Sequence, residues 1–191
     1  MRGQAYTLEA VIASLLLVSS LVFALQVTAV TPLSASTSNQ HIENQQRASA
    51  SGVLTAAQEA GALKDAVLYW NDSAEEYDDA ERLTYYTNNY PPNEFGNITE
   101  RAFDGRGLAV NVLVYYNESE EPSRMVYRGE PSENAVSASR TVTIYDDDDL
   151  TAPDATRTAA DANNFADVVP EDSSGTGVYN VVRVEVTVWR M

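Results

Sequence analysis

The sequence has no cysteine, one histidine and one lysine, and these shortages exclude several classes of protein. Without cysteine, the chain has no disulfide framework, no thiolate metal site, no iron–sulfur cluster and no cysteine nucleophile. The single histidine, His41, stands among polar residues and far from any Ser–Asp–His pattern, so we expect an exposed or locally hydrogen-bonded side chain without a catalytic role. The sequence also lacks phosphate-binding glycine-rich loops and Gly-x-Ser-x-Gly motifs. We therefore expect no enzymatic activity and no cofactor.

The chain is strongly acidic, and its charge is unevenly distributed. Residues 1–35 contain only Arg2 and Glu9, whereas the rest of the chain carries 11 basic and 27 acidic side chains and the whole net charge of −16. Such a surface does not favour nucleic acid, because phosphates are neutralised by clustered Lys and Arg. Eleven of the 12 basic residues are arginine, a bias expected of a proteome adapted to multimolar salt. Salt at that level shortens the Debye length to below about 3 Å and screens an acidic shell. An ordinary acidic secreted protein is the alternative interpretation.

One uncharged apolar segment dominates the N-terminal part. It covers residues 10–30, and as a helix it would be about 31 Å long, close to the roughly 30 Å hydrocarbon core of a bilayer. It fits a retained membrane helix, and it also fits a removable signal cut after Val27-Thr-Ala29 or Leu33-Ser-Ala35. Glu9 favours the retained helix, because a carboxylate at the first apolar turn hinders insertion and a disposable signal gains nothing from it.

The residues before this segment resemble a known leader. Arg2-Gly3-Gln4-Ala5-Tyr6-Thr7-Leu8-Glu9, followed directly by the apolar run, is similar to the class III leader of type IV pilins and archaellins. This pattern, with His41-Ile-Glu-Asn-Gln45 downstream, also resembles a group of haloarchaeal pilin-like proteins. The resemblance implies that a membrane-embedded prepilin peptidase cuts the chain near Arg2, Gly3 and Gln4. It also implies that the apolar helix is kept, first as a membrane anchor and later as the filament core.

The resemblance leaves two cleavage positions open. A cut after Gly3 follows a small residue but makes Glu9 the sixth residue of the mature chain, whereas type IV pilins usually have this glutamate fifth. A cut after Gln4 restores that spacing but lacks the small residue. Between packed apolar helices an unpaired carboxylate is costly, and the freed α-amino group of a neighbouring subunit is the cation at hand. We therefore expect Glu9 to act in assembly.

The rest of the sequence predicts an α+β fold. Pro32 should kink or end the apolar helix, and residues 34–38 have the composition of a polar linker. Apolar residues then recur every three or four positions over residues 53–70, which predicts an amphipathic helix with a break near Gly52 or Gly61. Strands are predicted at residues 108–116, 123–128, 137–145 and 178–190. We expect a pilin-like plan, in which the amphipathic helix packs on a mostly antiparallel sheet of about four strands.

These patterns divide the chain into four parts. They are a leader with its cleavage region, a transmembrane or filament-core helix, a polar linker with the amphipathic helix, and an acidic extracellular head, at residues 1–9, 10–31, 32–70 and 71–191. In the head, a capping box at Ser73-Ala-Glu-Glu76 predicts a helix over residues 74–86. Residues 151–177 should form a long surface loop. The aromatic residues within 71–107 should cover one side of the sheet, with a ligand-binding face as the alternative.

Two sets of polar residues are candidate sites. A run of carboxylates after the third strand could gather calcium, but the acid spacing of an EF-hand loop is missing, so a solvated turn is favoured. These weak metal candidates are Asp146, Asp147, Asp148 and Asp149. Three Asn-x-Ser/Thr triplets in predicted loops or strand ends are candidates for N-glycosylation. Their acceptors are Asn71, Asn97 and Asn117.

The sequence thus predicts a structural protein. We expect a pilin-like subunit, major or minor, of a haloarchaeal type IV pilus-type surface filament. Its expected partners are the prepilin peptidase, other pilin-like subunits, the pilus assembly platform and, before assembly, the cell membrane. The head would lie outside the cell, first at the membrane and then on the filament. The alternative is a single-pass, membrane-anchored extracellular binding module that uses its tyrosine-rich stretch or its long loop.

Overall fold

The computed structural model describes residues 2–82, 84–116, 121–172 and 175–191, and within these ranges the side chains of residues 6–25 and of residue 40 onward. The helices in these ranges are α1 (Arg2–Glu59), α2 (Ala62–Val67) and α3 (Glu94–Phe103). The strands are β1 (Trp70–Asn71), β2 (Glu76–Tyr77), β3 (Leu108–Tyr116), β4 (Ser123–Val126), β5 (Val136–Tyr145) and β6 (Val178–Arg190). A short 3-10 helix, Phe165–Asp167, precedes β6.

Helix α1 is longer than the sequence predicts. It includes Pro32 and residues 34–38, where a break and a polar linker were expected. A proline removes a single N–H donor, at a cost of about 3 kcal/mol in a helix interior, so a helix with many residues on each side can continue through it. The chain divides into two compact units, Met1–Ile42 and Glu43–Met191, and α1 contributes residues to both.

The helical region breaks at a glycine. Helix α1 ends at Glu59, and Gly61 adopts a left-handed conformation with φ of 75° directly before α2. Residues with a Cβ adopt this conformation at a cost, so glycine is the residue that suits this position. The predicted break near Gly61 is confirmed. Gly52, the other expected position, lies inside α1.

A four-stranded antiparallel sheet forms the centre of the second unit. The strand order is β4-β3-β6-β5, so β4 and β5 are the edge strands. The central strands β3 and β6 pair from Leu108 opposite Arg190 to Tyr116 opposite Val182. Alternating valines give each central strand one fully buried face, which is why the pattern of period two identified both strands. The predicted α+β fold is confirmed, and β4 ends at Val126, two residues earlier than predicted.

The inner face of the sheet packs against the helices of the same unit. The helices contribute to this buried core Ala50, Val53, Leu54, Ala57, Leu63, Val67, Phe95 and Phe103. Arg140 lies on the inner face of β5, opposite the buried Val184 of β6. Its Nη2 donates to Thr55 Oγ1 at 3.0 Å and to Ser51 Oγ at 3.4 Å, both on α1. The sheet and α1 are therefore joined by polar contacts as well as by apolar packing.

A connecting segment crosses the outer face of the sheet. Because β4 and β5 lie at opposite edges, residues 127–135 between them must pass over β3 and β6. We call these residues the strap. Asn111, on the outer face of β3, is 1% exposed; its Nδ2 donates to Gly129 O at 2.9 Å and its Oδ1 accepts from Arg128 N at 2.8 Å. One buried amide therefore satisfies a donor and an acceptor of the strap backbone.

The helix predicted over residues 74–86 is wrong. The described residues of this segment contain β2, which pairs with β1, followed by turns and isolated bridges. Asn71 Oδ1 accepts from the backbone N–H groups of Ser73, at 3.0 Å, and Ala74, at 3.1 Å. This Asx-type turn bends the chain at the residues that would have begun the helix, and such local side-chain bonding competes with helix formation.

The sequence prediction missed helix α3. Asn93 caps it, since Asn93 Oδ1 accepts from Gly96 N at 3.0 Å. A Cβ at Gly96 would lie 1.8 Å from Pro91 O, so only glycine lets the first turn of the helix approach the preceding chain. The Pro91-Pro92 pair comes directly before this cap.

Residues 151–177 are more than the surface loop that the sequence predicts. In the described part of this segment, Phe165, Val168 and Val169 belong to the core. Phe165 stacks on Tyr179 of β6, with 5.6 Å between ring centroids. Isolated apolar residues among polar ones have no period, so pattern reasoning could not assign them to the core.

We expect the strap to depend on Asn111. Asn111→Ala should lower the free energy of unfolding by about 2 kcal/mol, because it leaves two partly buried backbone groups of the strap without partners. Chemical unfolding of the full chain in detergent would measure the loss. Thr141→Ala, an exposed position on the same face of the sheet, is the control and should change stability by less than about 0.5 kcal/mol. Equal effects of the two substitutions would contradict the role of Asn111.

Candidate functional site

The candidate functional site is the N-terminal part of α1. From Tyr6 to Leu25 no side chain is buried, and the large apolar side chains are 48–71% exposed. These 20 residues are long and apolar enough to cross a membrane, judged by length and composition, and a signal sequence meets the same criteria. A helix that is apolar on all sides is covered by lipid or by other protein, because water does not favour such a surface.

The serine hydroxyls within this segment can be satisfied without water. Ser14 Oγ donates to Val11 O at 2.9 Å, and Ser20 Oγ donates to Leu17 O at 2.8 Å. A hydroxyl with a carbonyl partner in its own helix loses less on transfer into an apolar environment than a free one. These serines are therefore compatible with a lipid or helix-bundle environment.

Glu9 is the single charged residue between Tyr6 and Leu25. Its side chain is exposed, and within the described part of the chain it makes no hydrogen bond or ion pair. Arg2, Gly3 and Gln4 lie in the first residues of α1, and their side chains are outside the described ones. Once lipid or protein covers this surface, the carboxylate of Glu9 requires water or an opposite charge.

The four aspartates that follow β5 are not gathered around a cation site. They are the weak calcium candidates Asp146, Asp147, Asp148 and Asp149. Lys64 Nζ lies 2.7 Å from Asp148 Oδ1 and 2.5 Å from Oδ2, and the latter also accepts from the backbone N–H of Tyr145 at 2.7 Å. Across the described ranges, no group of three or more His, Cys, Asp or Glu side chains could hold a metal ion. Asp148 instead ties this turn to α2.

The glycosylation candidates differ in their surroundings. Asn71 lies in β1, and its Nδ2 donates to Asp78 Oδ1 at 2.7 Å, so the acceptor nitrogen is already engaged. Asn97 is exposed but belongs to α3, not to the expected loop, and the hydroxyl of its partner Thr99 is buried and donates to Phe95 O at 2.8 Å. Asn117 lies outside the described residues. In the folded head, Asn97 is thus the more accessible of the two described acceptors.

The aromatic residues within 71–107 lie mostly in the core of the head. The buried rings of this stretch are Tyr77, Tyr86, Tyr90, Phe95 and Phe103. Burial raises the pKa of the Tyr77 and Tyr86 hydroxyls above the usual value. Tyr85 is the exception, because it is only half-buried. His41 is exposed.

Sequence reasoning missed a set of arginine–tyrosine stacks. The pairs, with the distance from guanidinium carbon to ring centroid, are Arg124 with Tyr127 at 4.2 Å, Arg183 with Tyr115 at 4.0 Å and Arg128 with Tyr90 at 4.4 Å. Arginine suits this contact because its guanidinium is planar and weakly hydrated. The chain's 11 tyrosines and its strong preference for arginine over lysine were a signal for such stacks. Arg124 and Tyr127 are three positions apart, but Arg128 and Arg183 lie far along the chain from Tyr90 and Tyr115, so these two pairs could not be assigned from sequence.

Comparison with known proteins gives one family. A model described as a family of unknown function (DUF7288) matches residues 2–188. The match includes both the apolar helix and the sheet. No curated protein and no solved structure matches the chain.

We expect calcium to have no effect on the turn after β5, because Asp148 is already neutralised by Lys64. Millimolar calcium should leave the Tm of the full chain unchanged. Lys64→Gln should lower the free energy of unfolding by about 0.5–1 kcal/mol, since this ion pair is partly exposed. Arg106→Gln, an exposed position, is the control and should have a smaller effect. A rise in Tm on adding calcium would contradict this assignment.

Proposed function

Because the chain belongs to the DUF7288 family, whose function is unknown, we propose from its own features that it is a pilin-like subunit of a type IV pilus-type surface filament. The observation that carries the proposal is the composition of α1. The same helix holds the fully exposed apolar segment Tyr6–Leu25 and, in the second unit, residues buried in the core of the head. A removable signal would have no reason to share a helix with the core of the folded domain.

The chemistry of such a subunit is assembly. Before assembly, Tyr6–Leu25 is covered by lipid; in the filament it is covered by the same segment of neighbouring subunits. Both environments remove the apolar side chains from water, at a gain of about 25 cal/mol per Å² of buried apolar surface. Moving the helix from lipid into the filament therefore changes its hydrophobic free energy little. Specific contacts between subunits then decide their axial register.

Glu9 provides the specific contact. In a bundle of apolar helices an unpaired carboxylate is costly, whereas a carboxylate opposite an ammonium group is stabilised. Cleavage near Gly3 or Gln4 creates that ammonium group at the new N-terminus. We propose that Glu9 of one subunit pairs with the N-terminus of the next and thereby sets their axial spacing.

The composition of the rest of the chain supports an extracellular head in strong salt. All of the net charge of −16 lies after residue 35, and arginine replaces lysine almost completely. Neighbouring acidic heads on a filament would repel each other at low ionic strength, and multimolar salt screens that repulsion. The proposed setting is therefore a haloarchaeal cell surface.

A permanently anchored binding module is the second candidate function. It uses the same helix and the same acidic head but requires neither cleavage nor polymerisation. An open cleft on the outer face of the sheet, described below, favours a binding role for the head. Processing and assembly distinguish the two candidates.

Processing is tested at the N-terminus of the mature protein. Terminal-peptide mass spectrometry of the chain recovered from cell surfaces should find a start at Gln4 or within two residues of it, with the apolar helix still attached. An intact or Met-trimmed start would favour the permanent anchor. A start near residue 30 or 36 would mean an ordinary secreted domain and would refute the filament proposal.

Assembly is tested at Glu9. Glu9→Ala should abolish filaments seen by electron microscopy while the protein still enters the membrane fraction, because the helix keeps its apolar length and loses only its charge partner. Glu9→Gln should fail equally if charge, rather than size, is required. Glu59→Ala removes an exposed acid from the other end of α1 and should assemble normally. Normal filaments from both Glu9 variants would overturn the role of this residue.

A further inference from the structure

An open cleft lies on the outer face of the sheet, beside the strap. Its volume is about 570 Å³, within the range of about 300–1,000 Å³ that is typical of small-molecule sites. The floor is formed by Leu113 of β3, and one wall by Pro131 of the strap. Because Asn111 bonds the strap backbone at Arg128 and Gly129, this wall is fixed to the sheet. The cleft is thus formed by parts of the head that hydrogen bonds hold together.

Arg124 is exposed and stacks on two tyrosine rings at the edge of this cleft. It lies opposite Leu113 in the pairing of β3 and β4. Its guanidinium carbon is 4.2 Å from the ring centroid of Tyr127 and 5.8 Å from that of Tyr85, and the two rings meet edge to face at 6.2 Å. A guanidinium stacked on rings keeps its N–H groups at its edge free to donate, and the stack fixes their direction.

Apart from its ring contacts, the guanidinium of Arg124 makes no hydrogen bond or ion pair within the described residues. Two carboxylates, Glu121 and Glu130, nevertheless line the same cleft. Glu130 is oriented by Tyr127, whose hydroxyl donates to Glu130 Oε1 at 2.5 Å. The guanidinium of Arg124 and the oriented carboxylate of Glu130 therefore line the same cleft.

We propose that this cleft binds a neutral saccharide. Sugar hydroxyls both accept from a guanidinium and donate to a carboxylate, so one ring bridges Arg124 and Glu130. The apolar C–H face of a sugar fits the aromatic and proline surfaces of Tyr85 and Pro131, and the ligand does not have to be charged. The proposal concerns the head and does not depend on filament assembly.

The charges in the cleft argue against an anionic ligand. The lining carries one positive and two negative side chains, within a chain of net charge −16. A phosphate or carboxylate ligand would gain from Arg124 but would be repelled by Glu121 and Glu130. A hydroxyl-rich neutral ligand avoids this repulsion and still uses both kinds of side chain.

The test is saturation-transfer NMR on the full chain in detergent at high salt. The probes are the free sugars glucose, galactose, mannose and N-acetylglucosamine. Saturation should pass from tyrosine ring protons to the C–H protons of at least one sugar. Arg124→Ala and Glu130→Gln should each weaken that binding by about tenfold or more, which is the loss expected when a charge-assisted hydrogen bond is removed.

Arg183→Ala is the matched control. Arg183 stacks on Tyr115 on the same face of the sheet, but it does not line the cleft, so its loss should leave sugar binding unchanged. Near-ultraviolet circular dichroism would verify that each variant keeps its fold. If Arg124→Ala does not fold, Glu130→Gln still tests the cleft, because it is an exposed and nearly isosteric change. The proposal is overturned if none of the four sugars binds or if binding survives both cleft variants. Binding of a short basic peptide in place of the sugars would also overturn it.

Discussion

The pairing of β3 with β6 is the constraint on which the rest of the head depends. These two strands place their valines on one face, and that face receives α1, α2, α3 and the apolar residues of the last long connection. Their other face carries Asn111, which holds the strap, and Leu113, which forms the floor of the cleft. Core and candidate binding surface are thus the two sides of one strand pair, because side chains alternate along a strand.

The chain has few basic groups, and these make local contacts within an acidic surface. Lys64, the only lysine, pairs with Asp148. Arg124 stacks on Tyr127, and Arg183 both stacks on Tyr115 and pairs with Glu185. Most acidic side chains are left to solvent, which agrees with a surface that relies on dissolved ions for screening. The basic residues act on local structure and do not neutralise the surface as a whole.

Sequence reasoning predicted those parts of the fold that have a period. The nine residues of β3 and the long β6 alternate regularly, and their bounds were obtained correctly. The helix predicted after Ser73 failed because Asn71 bonds two nearby backbone N–H groups, a local competition that a capping pattern does not reveal. Phe165 was missed because its burial depends on Tyr179, which is 14 positions away in the chain and follows a polar stretch.

Of the candidate sites too, some could be predicted from the sequence and others could not. The apolar segment and Glu9 could be read from sequence, since they depend on composition and on a local motif. The cleft could not, because it requires Tyr85, Leu113, Arg124 and the strap to meet across about 45 residues of chain. Lys64 and Asp148 are 84 positions apart, and no local pattern links them.

The position of β6 in the sheet sets the order in which the head can be completed. β6 lies between β3 and β5, yet it is synthesised after every other strand. Until it arrives, β3 and β5 have no common neighbour, and their inner valines face an unfilled gap. The head therefore folds late and by contacts between distant parts of the chain, whereas the apolar helix emerges first. The apolar segment Tyr6–Leu25 is therefore complete before the head has a core.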